Sequence, residues 1–440
     1  MLIIEAKTVN NFIINTFNKF TCCFVTLIFA QLNTFAQVPT PGVLSKKPTV
    51  ITNATLHIGN GQVIKEAGIG FVNGKIVSLD SLLNSENFEG YEIINANGND
   101  VYPGLIAPNT SIGLNEVDAI RSTRDYYEVG ENNAHIRSII AYNTDSRVTP
   151  TIRSNGILLA QITPNGGSIS GNSSIVNLDA WNWEDAALKI DDALHINWPS
   201  LHFNGDNKEE DNNRTEKELL AIEHIFSDAK TYCFNSVENT NLKLEAFRSV
   251  FNGQKKVFIH TDGAKEIINA VQFMKQYALT PVIVGGSESF LITQFLRENN
   301  IAVIIIRTHN LPSLQEDDID LPYKLPKILL DSGVKYCLAD VGSWQQRNLP
   351  FQAGTSVAYG VSKEQALMSI TKNTSEILGI DKIYGTLELG KSATLVISEG
   401  DILDMKSSKI THAWIDGRPV DLNNAQTQLN KKFRTKYFGE

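Results

Sequence analysis

The chain is poor in cysteine, in long apolar runs and in clustered positive charge. It has four cysteines in 440 residues. Cys22 and Cys23 fall in the N-terminal apolar segment, which leaves Cys233 and Cys337 far apart. That spacing suits neither a disulfide framework nor a zinc ribbon, and both thiols sit in apolar contexts typical of buried cysteines. The longest apolar run near the N-terminus, "FTCCFVTLIFAQL" (20–32), falls short of the roughly 20 residues a bilayer span requires. Lys+Arg number 39 against 48 Asp+Glu, a formal net charge of -9 with no basic block or basic helix face, so nucleic acid is an unfavoured partner. P-loop, GxGxxG and Gly-x-Ser-x-Gly patterns are missing too, and so is any cysteine beside a histidine in a catalytic context. Internal repeats are not evident.

The N-terminus reads as a secretory signal. Lys7 and Lys19 precede the apolar run, and Thr34 and Ala36 supply the small residues of a cleavage site after Ala36. An uncleaved anchor is the alternative. The expectation is an exported protein, periplasmic or secreted, free of the membrane after cleavage of residues 1–36. Residues 37–48, "QVPTPGVLSKKP", form a proline-bearing linker.

From residue 49 to about 101 the pattern is short strands, with Asn73-Gly74 marking a tight hairpin. From about 102 it becomes apolar strand, loop and amphipathic helix. The runs at 156–164, 255–262, 280–286, 301–306 and 334–340 fit parallel strands covered on both faces. Helical patterns at 263–278, 289–300 and 362–379 alternate with them. This predicts an α/β fold with a TIM-like (β/α)8 barrel over 102–384. A doubly wound sheet is the alternative. Strands return in the tail, so 49–101 and 385–422 are expected to form one composite, split β-sandwich carrying the barrel as an insertion. The acidic, Asn-rich stretch 204–218 reads as a solvated loop running into a helix.

Three motifs stand out: "ITNATLHIGNGQVIKEAGIGFVNGKIVSLD", "VYPGLI", and "ILGIDKIYGTLELGKSATLVI" near the end. Gly385, Leu387, Glu388, Gly390, Lys391, Ala393, Leu395 and Val396 carry the last of these. Together they resemble the amidohydrolase superfamily, nearest its imidazolonepropionase-like branch. The resemblance spans about residues 49 to 420. It implies hydrolysis of C–N or C–O bonds by a metal-bound water, with ligands at the C-terminal ends of several barrel strands. The usual set is a His-x-His pair, a bridging lysine or acid, two further histidines and an aspartate.

Set against that pattern, the "PGLI" frame is intact at 103–106, but Ala107, Asn109 and Ser111 stand where Asp, His and His are usual. Neither Asn109 nor Ser111 is a good zinc ligand; both are assigned to substrate binding instead. His260 matches the strand-five histidine. Gly286 and Ser287 replace the strand-six histidine. Asp340 stands near the strand-eight aspartate. No lysine is placed at the end of a fourth strand. The resemblance therefore implies at most one divalent metal, zinc, held by His260 and Asp340 with Asp340 as proton acceptor, or no metal. Asp262, Glu288, His309 and Glu116 are nearby substitutes, each of which reads equally as a hydrogen-bonded rim residue.

Arg347 is a candidate anchor for a substrate carboxylate, or else the partner of a structural acid. The Gly/Ser-rich stretch 163–181 is either an anion pocket lined by Gly166, Gly167 and Gly171, or a tight loop at the barrel mouth. Trp181 and Trp183 alternate, one for core and one for surface. The function expected is that of a C–N hydrolase by descent with a degenerate metal site, or a catalytically inactive binding protein. Partners expected are a small-molecule ligand and either a second copy of the chain or a paralogous amidohydrolase.

Overall fold

The computed structural model describes residues 40–439 other than 46, 81–89, 202–207 and 236–237. The segment read as a secretory signal and the first part of the expected linker therefore lie outside the described residues. Two eight-stranded sheets organise the rest.

The first sheet is built from both ends of the chain. Its N-terminal strands are β1 (Thr49–His57), β2 (Val63–Val72), β3 (Lys75–Asp80), β4 (Glu92–Asn95) and β5 (Asp100–Pro103). The hairpin between β2 and β3 turns at Asn73 and Gly74, both at positive φ (49° and 77°), the geometry that the Asn-Gly pair favours.

The second sheet is the barrel. Its strands are β6 (Leu105–Thr110), β7 (Ile157–Ile162), β8 (Ile169–Asn177), β9 (Ala187–Asn197), β10 (Lys256–Thr261), β11 (Val282–Gly285), β12 (Ala302–Ile306) and β13 (Tyr336–Ala339). They pair in chain order from β6 to β13. The two ends of this path meet: the Ser111 N–H donates to the Gly342 carbonyl across the gap. After the barrel, β14 (Leu395–Glu399), β15 (Lys409–Ile415) and β16 (Arg418–Pro419) return to the first sheet, β14 pairing with β5. That sheet has its own core, with Ile51, Ile69, Leu395 and Trp414 packed together.

Side-chain alternation sorts the barrel strands into two layers. Ile106, Leu159, Ile175, Ala193, Phe258, Val284, Ile304 and Cys337 fill the interior. Their sequence neighbours, such as Leu105, Leu158, Leu194, Ile259 and Leu338, face the surrounding helices. The helices at Ala264–Gln276, Leu321–Asp331 and Leu349–Ala358 supply part of that outer layer. A longer helix, Lys208–Phe234, runs from within the Asn-rich stretch expected to be loop.

The barrel departs from strict β/α alternation in one place. β8 runs antiparallel to both β7 and β9, so strands two to four form a meander with no intervening crossover helix. This corrects the reading of 163–181 as a single mouth loop, since Ile169–Asn177 within it is strand β8. Gly171 lies within that strand. A Cβ on Gly166 would fall 2.3 Å from the Tyr127 ring, and one on Gly167 would fall 2.4 Å from the Gly130 carbonyl. These glycines let the 126–131 segment pack closely onto the barrel rim. Asn182 caps the short helix Trp183–Ala186, so the two tryptophans are not on an extended strand. Trp181 is exposed and Trp183 packs against the core.

The composite sheet and barrel are joined by an ionised contact. His57 on β1 sits 2.7 Å from Glu364 and 3.5 Å from Asp100. Burial works against its charge, but hydrogen bonds to Asp100 and Glu364 outweigh it and hold the imidazole up at about 9.

Candidate functional site

At the mouth of the barrel, the ends of β10, β11 and β12 open into a cavity of about 690 Å³. The size suits a small organic ligand, and the position is where barrel sites form. His260, from the inward face of β10, lines it, as do the expected substitutes Asp262 and Glu288, while Asp340, Asn109, Ser111 and Arg347 do not. Beside it stand Asp262, Glu266, Glu288, Arg307 and Asp317.

His260 is already engaged. Its Nε2 lies 2.8 Å from Nδ1 of His195, the inward residue of β9 next to it in the barrel wall. Whichever ring carries the shared proton, the Nε2 position of His260 is used in that bond. Burial pushes His260 down to about 4. His195 is pushed well down too, by burial first and then by its charged-state repulsion with His260. Both rings are neutral at pH 7. The other nitrogen of His195, Nε2, is buried without a hydrogen-bond partner among the described residues.

Deeper in the barrel, strands β6 to β9 close a polar network. The Asn109 N–H donates to Oε1 of Gln161 at 3.1 Å. Gln161 Nε2 donates to Asp192 at 2.8 Å and to the Ser173 hydroxyl at 3.1 Å. Ser173 in turn donates to Asp192 at 2.7 Å. Burial pushes the Asp192 carboxyl up, against the pull of those two donors. Asn109 is held at φ 52°, a left-handed conformation Asn tolerates. The backbone of Ser111 is committed to the barrel seam through Gly342. The structure thus places Asn109 and Ser111 on the first strand's end, away from the lining of the large cavity.

Asp340 is buried at the end of β13. Its carboxylate accepts from Gln352 on the outer helix Leu349–Ala358 and from the Val341 N–H. Burial pushes its carboxyl up, and Val341, Arg307 and Gln352 pull it back. Arg347 donates to the Trp344 carbonyl and lies 5.7 Å over the Trp344 ring, so its guanidinium is tied to its own turn. His309 bonds the Thr355 hydroxyl and lines a separate cavity outside the barrel. Glu116 accepts from Asn143. Asp262 and Glu288 each accept a backbone N–H, from Ser287 and Ala264.

No family model matches the chain. In three dimensions it superposes on an amidohydrolase from Thermotoga maritima MSB8 with a TM-score of 0.74, at 22% identity, over 85% of this chain and 99% of that one. The fold is that of the amidohydrolases. An adenosine deaminase from Xanthomonas campestris with bound zinc matches at a TM-score of 0.52 and 14% identity, over 91% of this chain and 99% of that one. A Xaa-Pro dipeptidase with methionine bound in its active site matches at 0.52 and 14%, over 85% and 100%. In sequence, 127 residues are 28% identical to the amidohydrolase tasK of Hapsidospora irregularis, 26% of this chain. The match spans 13% of that curated relative's length.

Amidohydrolases of this fold usually hold a divalent metal at such strand ends, a zinc-bound adenosine deaminase among the similar structures. Catalytic zinc takes three or more protein ligands. Among the described residues, no group of three or more His, Cys, Asp and Glu side chains is placed to hold a metal ion. His260 has a histidine partner at its Nε2, and the Asp340 carboxylate is turned to an outer helix and its own backbone.

Two residues of this site escaped the sequence reading. His195 lies in "ALKIDDALHIN", whose paired acids disguise a barrel strand; its inward alternation with Ala193 was the available signal. Arg307 follows the apolar run of β12 by one residue, and nothing local marks it out.

Proposed function

We propose that this chain is an amidohydrolase-fold protein, descended from C–N bond hydrolases, which binds a small molecule at the barrel mouth and has a degenerate metal site. The observation that carries this reading is the His195–His260 pair. A hydrogen-bonded imidazole pair, held below the ordinary histidine range by burial, takes up the Nε2 of His260 in the wall where a metal-binding histidine would present it. The neutral Asn109 and Ser111 on the first strand support the same reading. So does the Asp192 network, which spends the polar groups of β7 to β9 on each other. The cavity beside His260 supports retained binding. Export rests on the segment 20–36, and the partner is a second copy of the chain or an active paralogue.

A zinc titration followed by thermal unfolding tests the reading. The midpoint is expected to ignore both zinc and a chelator, because a metal that binds the folded chain alone must raise it. A saturable rise with zinc, abolished in His260→Ala, sinks the degenerate-site reading. It would support the second one, C–N hydrolysis with a single metal at His260 and Asp340, which the likeness to amidohydrolases favours.

A further inference from the structure

The charged groups around the mouth cavity are unequal in a way that selects a ligand. Its four carboxylates all have structural work. Asp262 accepts from the Ser287 N–H, Glu266 from Leu201, Glu288 from Ala264 and Asp317 from Leu314. The cation on the same lining, Arg307, has no side-chain hydrogen bond or ion pair among the described residues, and it is exposed. It also sits at φ 60°, a left-handed conformation that a residue with a side chain rarely adopts. Its own N–H is fixed to the Ala339 carbonyl of the neighbouring strand, which holds the backbone in that conformation. A residue of strained backbone at the end of a barrel strand, its guanidinium lining a cavity without a hydrogen bond or ion pair among the described residues, is the arrangement of a binding group. The rest of the wall is partly apolar, with Trp198, Val284, Leu311, Leu321 and Leu325 around the opening.

We propose that the mouth cavity takes a small amphiphilic monocarboxylate, its acid group paired with Arg307 and its apolar body against Trp198 and the leucines. This rests on the reading that the mouth cavity is the ligand site. A planar guanidinium offers a carboxylate two parallel N–H donors, which neither an amide nor an amine can match. The four acids on the lining repel any carboxylate not paired with Arg307, which confines the ligand to one acid group, at the guanidinium. Arg307 thereby takes the role that the sequence suggested for Arg347.

The test uses three probes with one apolar body: 4-methylpentanoate, its neutral amide, and 4-methylpentylamine. Binding to the full chain is measured by calorimetry, alongside Arg307→Asn and Arg307→Lys. The acid is expected to bind roughly tenfold or more tighter than the amide and the amine, and Arg307→Asn is expected to erase that preference. Arg307→Lys should restore only part of it, since an ammonium lacks the fork. Asn tolerates left-handed backbone, so Arg307→Asn should keep or raise the thermal midpoint, whereas a purely structural arginine would lower it. Equal binding of all three probes, or a preference for the amine, overturns the carboxylate assignment and leaves the cavity as the ligand site. No saturable response to any probe overturns both.

Discussion

In β6 to β9 the inward polar side chains bond to one another, while in β10 to β12 they ring a cavity. Gln161, Ser173 and Asp192 satisfy each other within the first half, under an antiparallel meander that has no crossover helix to open a mouth loop. His260, Asp262 and Arg307 stand at the ends of parallel strands that still feed into helices and loops on the mouth side. The His195–His260 pair lies on the boundary between the halves. The difference teaches that one barrel can turn half of its rim into core while the other half keeps the form of a site.

The largest effect should come from the closed half. Asp192→Ala removes the acceptor of two buried donors and leaves a cavity, at a cost of about 3 kcal/mol in denaturant unfolding. Asp262→Ala, on the open half, should cost about 1 kcal/mol or less, since that side chain is exposed and loses a single backbone hydrogen bond. Equal losses would erase the distinction between the halves.

Next comes acid. His260 and His195 are depressed in the folded chain, so they favour folding at pH values above the unfolded histidine value near 6.5. That contribution is lost as the pH falls towards about 4, with a drop on the order of 2–3 kcal/mol for His260. The double variant His195→Phe, His260→Gln should flatten the stability profile over that range. A profile unchanged by the pair would mean that the rings are solvated.

The alkaline side isolates the joint between composite sheet and barrel. His57 is raised to about 9, so its contribution is full below 6.5 and disappears as the pH rises through 9. Its loss is on the order of 2 kcal/mol and should vanish in His57→Gln, which leaves the barrel rim untouched. Smallest of all is Arg347→Ala. It removes a hydrogen bond to its own turn and a cation–π contact, for about 0.5–1 kcal/mol, with ligand affinity unchanged. A loss of affinity there would restore Arg347 as a binding group.

The sequence made the architecture legible where physics is local or periodic. The apolar runs of β7 and β10 to β13 and the Asn73-Gly74 hairpin are read directly from residue type. β8 was not legible, because "ISGNSSIVN" buries serines and asparagines satisfied by groups distant in sequence, Ala134 and Asp192. His260 was legible as an inward strand residue, but its partner was not, since His195 meets it through a strand register rather than through spacing. Arg307 and Arg347 show the same limit. Which guanidinium is free depends on Trp344 and on a backbone angle, and neither is written in the residues around them.

We propose that the wall at His195 and His260 is a hydrogen-bonded imidazole pair and not a metal site. Metal content of the purified chain after exposure to zinc and removal of the excess tests it most directly. Substoichiometric zinc, identical in the native chain and in His260→Ala, is expected. One zinc per chain, lost in His260→Ala, would contradict it.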